Sequence, residues 1–236
     1  MPNKYCPGCK TKTHNSKICE EGNRIYSFFP WKCKINGSHY HNFCEKCGAK
    51  WVVRLKTFVN QWTANVIDQY KGLSIKEIKQ RNFEKSFPYA VLLNNFTGDF
   101  NISSAIRNAN AFGVREIYYF GKRKYDKRGA AGAYLYSDIT FLDSFKKVID
   151  LKSKYKFIGV DNIEGAKPIN DYAYPCVPLL VFGEEQCGIS KDILEICDDL
   201  IYIKQYGSIR SINCAAASAV ILNDFCSKYE KKANVL

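Results

Sequence analysis

From residue 89 onward the chain alternates between two hydrophobic periods. Short apolar or alternating runs read as strands, and stretches with apolar residues three and four apart read as helices. "YAVLLNN" (89–95), "EIYYFG" (116–121), "KFIGVDN" (156–162), "CVPLLVFG" (176–183) and "LIYIKQ" (200–205) are predicted strands. "ISSAIRNANAF" (102–112), "FLDSFKKVIDLKSKY" (141–155), "KDILEICD" (191–198) and "SINCAAASAVILNDFCSKY" (211–229) are predicted helices, with Asn101 capping the first and Ser190 preceding the third. "CVPLLVFG" has no charged or hydrogen-bonding side chain apart from its thiol, as expected of a strand covered on both faces. The alternation predicts an α/β domain with a mainly parallel sheet. A ligand is then expected beyond the carboxyl ends of the strands.

Upstream of residue 89 the pattern is weaker. Apolar residues recur at roughly helical spacing from Leu55 to Tyr70, and Gly72 interrupts them. "SIKEIKQRNFEK" then begins with Ser74 and places Glu77 three residues on, a capping box before a helix whose Ile75 and Ile78 share a face. Pro88 closes this stretch. The organisation read from the chain is a small domain at 1–54, a helical linker at 55–88 and a main domain at 89–236.

Charge sharpens that division. The chain carries +12 overall, with ordinary proportions of hydrophobic (46%) and charged (25%) residues for a globular protein. Residues 1–60 hold +8 of it, 61–88 hold +2, and 89–236 hold only +2. Basic surface concentrated where the core is smallest fits a grip on polyanion, so structured RNA is an expected partner. The apolar runs are too short for a membrane span. The start "MPNKYCPGCK" has no signal-peptide pattern, and the expected compartment is a reducing cytoplasm.

Cysteine usage divides the same way. "CPGC" and "CEKCG" set Cys6 with Cys9 and Cys44 with Cys47, two thiolate pairs that can close one tetrahedral zinc site. So short a segment cannot bury a large core, and metal binding would supply much of its folding energy. Cys19, Cys33, His14, His39 and His41 lie between the pairs, either as replacement ligands or as surface and nucleic-acid contacts. Tyr26, Phe28, Phe29, Trp31 and Trp51, interleaved with Lys and Arg, are either core or stacking surfaces for bases. The five later cysteines sit among apolar neighbours and read as buried hydrophobes.

Candidate chemistry gathers at the predicted strand ends. "FGEEQCGIS" follows the strand ending at 183, and "QYGSIRSIN" follows the strand ending near 204. No G-x-G-x-x-G, P-loop or H-E-x-x-H pattern is present. No histidine lies beyond His41, so a catalyst in the main domain works with Arg, Glu, Ser, Asn and backbone. One permanent cation, Arg107, stands in the alanine-rich helix after the first strand.

These three loops resemble the three motifs of the SpoU/TrmH branch of the SPOUT methyltransferases. "FNISSAIRNANAFG" is similar to the first through Asn101, Arg107 and Gly113. "FGEEQCGIS" is similar to the second through Gly183, Glu185, Gly188 and Ser190. "YGSIRSINCAAASAVIL" is similar to the third through Gly207, Ser211 and Asn213. "RKYDKRGAAGAY" resembles the family's loop after its second strand.

The resemblance implies a SPOUT-type fold with a C-terminal trefoil knot and a homodimer. It implies methyl transfer from S-adenosylmethionine to a ribose 2′-hydroxyl of tRNA or rRNA. Arg107 would be the catalytic arginine, aligning phosphate and ribose and stabilising the developing alkoxide. Asn101 would lie near the ribose, Glu185 would order the site, and Ser211 and Asn213 would support substrate and the arginine. Phe182, Gly183, Gly188, Ile203, Gly207 and Ile212 would cradle the cofactor without a charged anchor. This chain departs from the family at Glu184, where Asn is common, and at Lys204 and Gln205, where "IPM" is usual. The zinc ribbon is not a standard part of the family. The competing reading is a non-catalytic RNA-binding protein that keeps the fold; a zinc-ribbon transcription factor leaves the main domain without a task.

Overall fold

The computed structural model describes residues 16–18, 39–43, 50–54 and 66–233, apart from Asn95, Thr97, Lys122 and Arg123. Cys6, Cys9, Cys44 and Cys47, the expected zinc ligands, lie outside the described residues, as do residues 55–65 of the expected first linker helix. The chain divides into two compact units, 1–72 and 73–236.

In the first unit, β1 (Ser16–Ile18), β2 (His39–Phe43) and β3 (Lys50–Arg54) form an antiparallel sheet in that order. Of the helical pattern predicted up to Tyr70, the described part is one 3-10 turn, Asp68–Tyr70.

The second unit opens with α1 (Ile75–Lys85), and its capping box is formed. The Glu77 amide donates to the Ser74 hydroxyl (3.3 Å), and the Ser74 amide donates to the Glu77 carboxylate (2.8 Å). Next come β4 (Phe87–Asn94), α2 (Asp99–Ala111), β5 (Val114–Phe120), α3 (Ala133–Tyr136), β6 (Ile139–Leu142), α4 (Phe145–Asp150) and β7 (Lys156–Val160). The short β8 (Lys167–Pro168), β9 (Pro178–Phe182), α5 (Lys191–Leu194), β10 (Asp199–Tyr202) and α6 (Cys214–Ala233) complete it. The seven strands lie in the order β6-β5-β4-β9-β7-β10-β8, and every neighbouring pair is parallel.

Alternation along the central strands sends side chains to both faces of the sheet. Leu180 and Phe182 of β9 join Tyr89, Val91 and Leu93 of β4 in a core with Ile106 and Ala109 of α2 and Ile221 and Phe225 of α6. Leu179 and Val181 join Ala90 and Leu92 in a second core with Val148 of α4 and Ile193 of α5. Each of these large side chains contributes on the order of 1.5–3 kcal/mol by leaving water. The fully buried β9 accounts for the unbroken apolar run read from the sequence.

Several predicted boundaries move. The helix expected at 141–155 is divided: β6 takes Ile139–Leu142, and α4 gives way to a 3-10 turn at Leu151–Ser153. The Thr140 and Phe141 side chains alternate across the sheet edge, a period-two signal masked by the helical residues after it. α5 stops at Leu194, not 198. α6 begins at Cys214, not Ser211. α2 is capped by Gly98, so Asn101 lies inside the first turn and is not the cap. Among the described residues no helix is long and apolar enough to cross a membrane.

Candidate active site

The strand order reverses at β4 and β9, since β5 and β6 lie to one side and β7, β10 and β8 to the other. The loops leaving β9 and β10 at this end of the sheet wall a cavity of about 370 Å³. Phe182, Gly183, Gly188, Ile203 and Ile212 line it, together with Glu185 and Ser211. Gly207 is not among the lining residues, and nothing lies within 4 Å of where its Cβ would be.

The loop after β9 is closed on itself. The amides of Glu184 and Gly188 each donate to the other's carbonyl (3.0 and 3.1 Å). Closure brings Gly183 so near Gly188 and Ile189 that a Cβ would overlap their backbone. Gly188 takes φ +69°, a left-handed conformation open to glycine at no steric cost. Outside partners hold the loop as well. Asp161, just past β7, accepts from the Ile189 amide (3.0 Å), and buried Asn94, ending β4, accepts from the Ser190 amide (2.7 Å).

A chain of polar side chains ties the first motif to the other two. Asn213 accepts from the amides of Ala215 (2.9 Å) and Ala216 (3.2 Å), capping α6. Its carbonyl oxygen is thereby committed, because backbone amides only donate. Its amide nitrogen donates to the carbonyl oxygen of Asn101 (3.1 Å). The Asn101 amide nitrogen in turn donates to Glu185. The same Glu185 oxygen accepts from the Cys214 thiol (3.0 Å). The α6 N-terminus thus sets the direction of the whole chain, and Glu185 is its terminal acceptor. Burial, and then the facing Glu185 carboxylate, push the Cys214 thiol well above its ordinary pKa, so it stays protonated and donates.

Arg107 is exposed on α2 and makes no hydrogen bond or ion pair among the described residues. Asn213 reaches Asn101, and neither Ser211 nor Asn213 bonds the arginine.

The cavity carries charge. Asp161, Glu184 and Glu185 line it against the single Arg210. It also holds an orphan: the Gln205 side-chain oxygen is buried and has no hydrogen-bond partner. An unpaired buried acceptor costs on the order of 1–3 kcal/mol, so a donor is missing there. Asp161, Gln205 and Cys214 were not among the site residues anticipated from sequence. Asp161 follows a predicted strand at its carboxyl end, where ligand loops gather, and that position was the available signal. Nothing in the sequence marked the Cys214 thiol.

Residues 88–223 match the SpoU rRNA Methylase family. The chain is 28% identical over 167 residues to a tRNA (guanosine(18)-2′-O)-methyltransferase of Aquifex aeolicus, covering 67% of this chain and 78% of that one. It is 24% identical to the 23S rRNA (guanosine-2′-O-)-methyltransferase RlmB of Acinetobacter baylyi, over 71% of each. Among solved structures it is similar to the SpoU methyltransferase AviRb of Streptomyces viridochromogenes, with TM-score 0.56 and 26% identity over 61% of this chain and 60% of AviRb. AviRb in complex with AdoMet shares the fold at TM-score 0.57 and 22% identity, over 80% of this chain and 69% of that one.

Proposed function

Because the chain belongs to the SpoU rRNA methylase family, we infer that it transfers a methyl group from S-adenosylmethionine to a ribose 2′-hydroxyl of tRNA or rRNA. The observation that carries this reading is the meeting of the second and third motif loops at one cavity, with the first motif joined to it through Asn101 and Glu185. The cavity suits the cofactor. Glycine backbone at 183 and 188 permits close approach, and Gln205 has an unpaired acceptor. Three carboxylates against one guanidinium favour a ligand bearing a sulfonium and an ammonium.

When bound, S-adenosylmethionine supplies an electrophilic methyl group. Phe182, Gly183, Gly188, Ile203 and Ile212 would hold it, and Gln205 would accept one of its hydrogen bonds. Asn101 positions the ribose, oriented by Asn213 on one side and Glu185 on the other. Ser211, exposed at the cavity rim, is free to bond the substrate. Arg107 meets the substrate phosphate through its planar fork and stabilises charge developing on the 2′-oxygen. Placing hydroxyl oxygen and methyl group in line is the rest of the task. The test is transfer of labelled methyl to total RNA followed by alkaline hydrolysis. Label in alkali-resistant dinucleotides is expected, because a 2′-methoxy group cannot attack the adjoining phosphodiester. Label in single nucleotides would point to base methylation and defeat the reading.

The same reading extends to the rest of the chain. Residues 1–54 are a zinc-ribbon RNA-binding domain with the metal on Cys6, Cys9, Cys44 and Cys47, and 55–88 is a helical linker to the methyltransferase domain at 89–236. One zinc per purified chain, lost in Cys44→Ser, is the expected metal analysis. The segment 183–213 is read as part of the family's trefoil knot. A homodimer fits the exposure of Tyr206 (85%) and Ile209 (64%) in the third-motif loop; sedimentation at equilibrium checks it.

A further inference from the structure

Two further depressions of the second unit bear on function. The larger, about 630 Å³, mixes Lys76, Lys85 and Arg115 with Asp138 and Glu230, and its Lys79 is already paired with Asp138 (3.1 Å). The other, about 480 Å³, is lined by Tyr119, Lys124, Tyr125, Lys127, Tyr134 and Ile139. No carboxylate lines it. Neither Lys124 nor Lys127 has an ion-pair partner among the described residues. The Lys127 ammonium stands 4.9 Å above the centre of the Tyr134 ring.

This groove is built into the fold. Its loop leaves the carboxyl end of β5, the same end of the parallel sheet at which the cofactor loops leave β9 and β10. The Asp126 carboxylate accepts from the Arg128 amide (2.9 Å) and caps a 3-10 turn at Lys127–Ala130. Gly129 packs on α2 so closely that a Cβ would overlap the Ser103 hydroxyl. Ala131 is held at φ 45°, a left-handed conformation costly for alanine. The α2 turn beneath also carries Asn101, hydrogen-bonded to Glu185 at the cofactor cavity. The groove and the active site therefore rest on one helix end.

Its chemistry calls for a ligand with both flat rings and negative charge. Tyrosine faces take up unstacked bases, and unpaired ammonium groups take up phosphates. Burial pushes the Tyr125 phenol up to about 12, so it brings no negative charge near physiological pH. A duplex hides its ring faces by stacking and would use only the lysines. We propose that this groove holds unpaired nucleotides of the RNA substrate beside the ribose to be methylated, the Lys127 ammonium leaving the Tyr134 ring for a phosphate as a base takes its place there, and Lys124 meeting a second phosphate. The proposal rests on RNA being the substrate.

The test measures binding of the full-length protein to a fluorescent uridine dodecamer and to an abasic ribose-phosphate dodecamer across a salt series. Cofactor affinity by calorimetry serves as the control for folding. Tyr134→Leu is expected to weaken oligouridine binding about tenfold and leave the abasic oligomer unaffected, while Tyr134→Phe binds as wild type. Lys124→Gln with Lys127→Gln should weaken both oligomers and lower the salt slope by about 1–2. An unchanged Tyr134→Leu, an equal loss on the abasic oligomer, or an unchanged salt slope overturns the proposal. If binding behaves as stated while no labelled methyl reaches RNA, the groove stands as a single-stranded RNA site, and both its place beside a methylated ribose and the methyltransferase reading fall.

Discussion

The two loops that wall the cofactor cavity are built by opposite rules. The loop at 183–190 is closed by its own backbone pair and fastened from outside by Asp161 and Asn94. The loop at 203–213 exposes Lys204, Tyr206 through Ser211 and Asn213, and is fastened at Arg210 by Asn162 and at its end by the Asn213 cap. The first wall is held along its length by backbone and side-chain bonds; the second is held at two points and is otherwise exposed. A preformed wall lowers the entropy lost on binding, and an open one leaves a path for entry and release.

Arg107, proposed above to stabilise charge on the 2′-oxygen, stands on α2 and in neither wall, which gives the largest expected effect. Arg107→Ala should lower kcat about 100- to 1000-fold, the range for removing one preorganised donor, with cofactor affinity within about twofold of wild type. Single-turnover rates and calorimetry measure the two. A mutant with wild-type turnover would return Arg107 to the status of a solvated surface residue.

The same substitution in each wall sharpens the contrast. Gly183→Ala puts a methyl into the Gly188 and Ile189 backbone. A loss of about 1–3 kcal/mol of stability, and at least about tenfold in cofactor affinity, should follow. Gly207→Ala meets no atom within 4 Å and should be neutral or slightly stabilising. Equal effects at both positions would erase the distinction between the walls. Asn213→Ala, next in size, removes a helix cap worth about 1 kcal/mol and frees Asn101 to rotate. Its loss of kcat should exceed its loss of thermal stability when both are expressed as free energy, and Asn213→Asp should restore the cap without restoring the bond to Asn101.

How far the sequence foretold these loops follows from what each feature depends on. Strands at 156–160, 178–182 and 199–202 and the capping box at Ser74 are local patterns and were legible. The lining residues Gly183, Gly188 and Glu185 were legible because they sit in ordered motifs at strand ends. Asn101 misled as a cap because Asn suits caps in general, whereas here its amide is engaged by Glu185, far along the chain. Asp161 and Cys214 owe their roles to partners distant in sequence, and no local pattern reports those. Gln205 stood out only as a departure from the family, with its unpaired oxygen visible once the loops were in place.

Gln205 also allows the subtlest trial of the open wall, because its two expected effects have opposite signs. Its buried oxygen has no donor among the described residues, so Gln205→Leu removes an acceptor the protein itself leaves unsatisfied and should raise the melting temperature slightly. With cofactor present the same change deletes one hydrogen bond and should weaken affinity by roughly 0.5–1.5 kcal/mol, about two- to tenfold. A purely structural glutamine would move stability and affinity together. The carboxylates of Asp161, Glu184 and Glu185 outcompete a neutral carbonyl for an ammonium, which leaves a neutral donor for Gln205. The exocyclic amine of adenine is therefore the expected donor. S-inosylhomocysteine, which carries an oxygen in its place, should bind more weakly than S-adenosylhomocysteine to wild type, and the gap should shrink in Gln205→Leu. A gap of the same size in both proteins would remove Gln205 from adenine recognition.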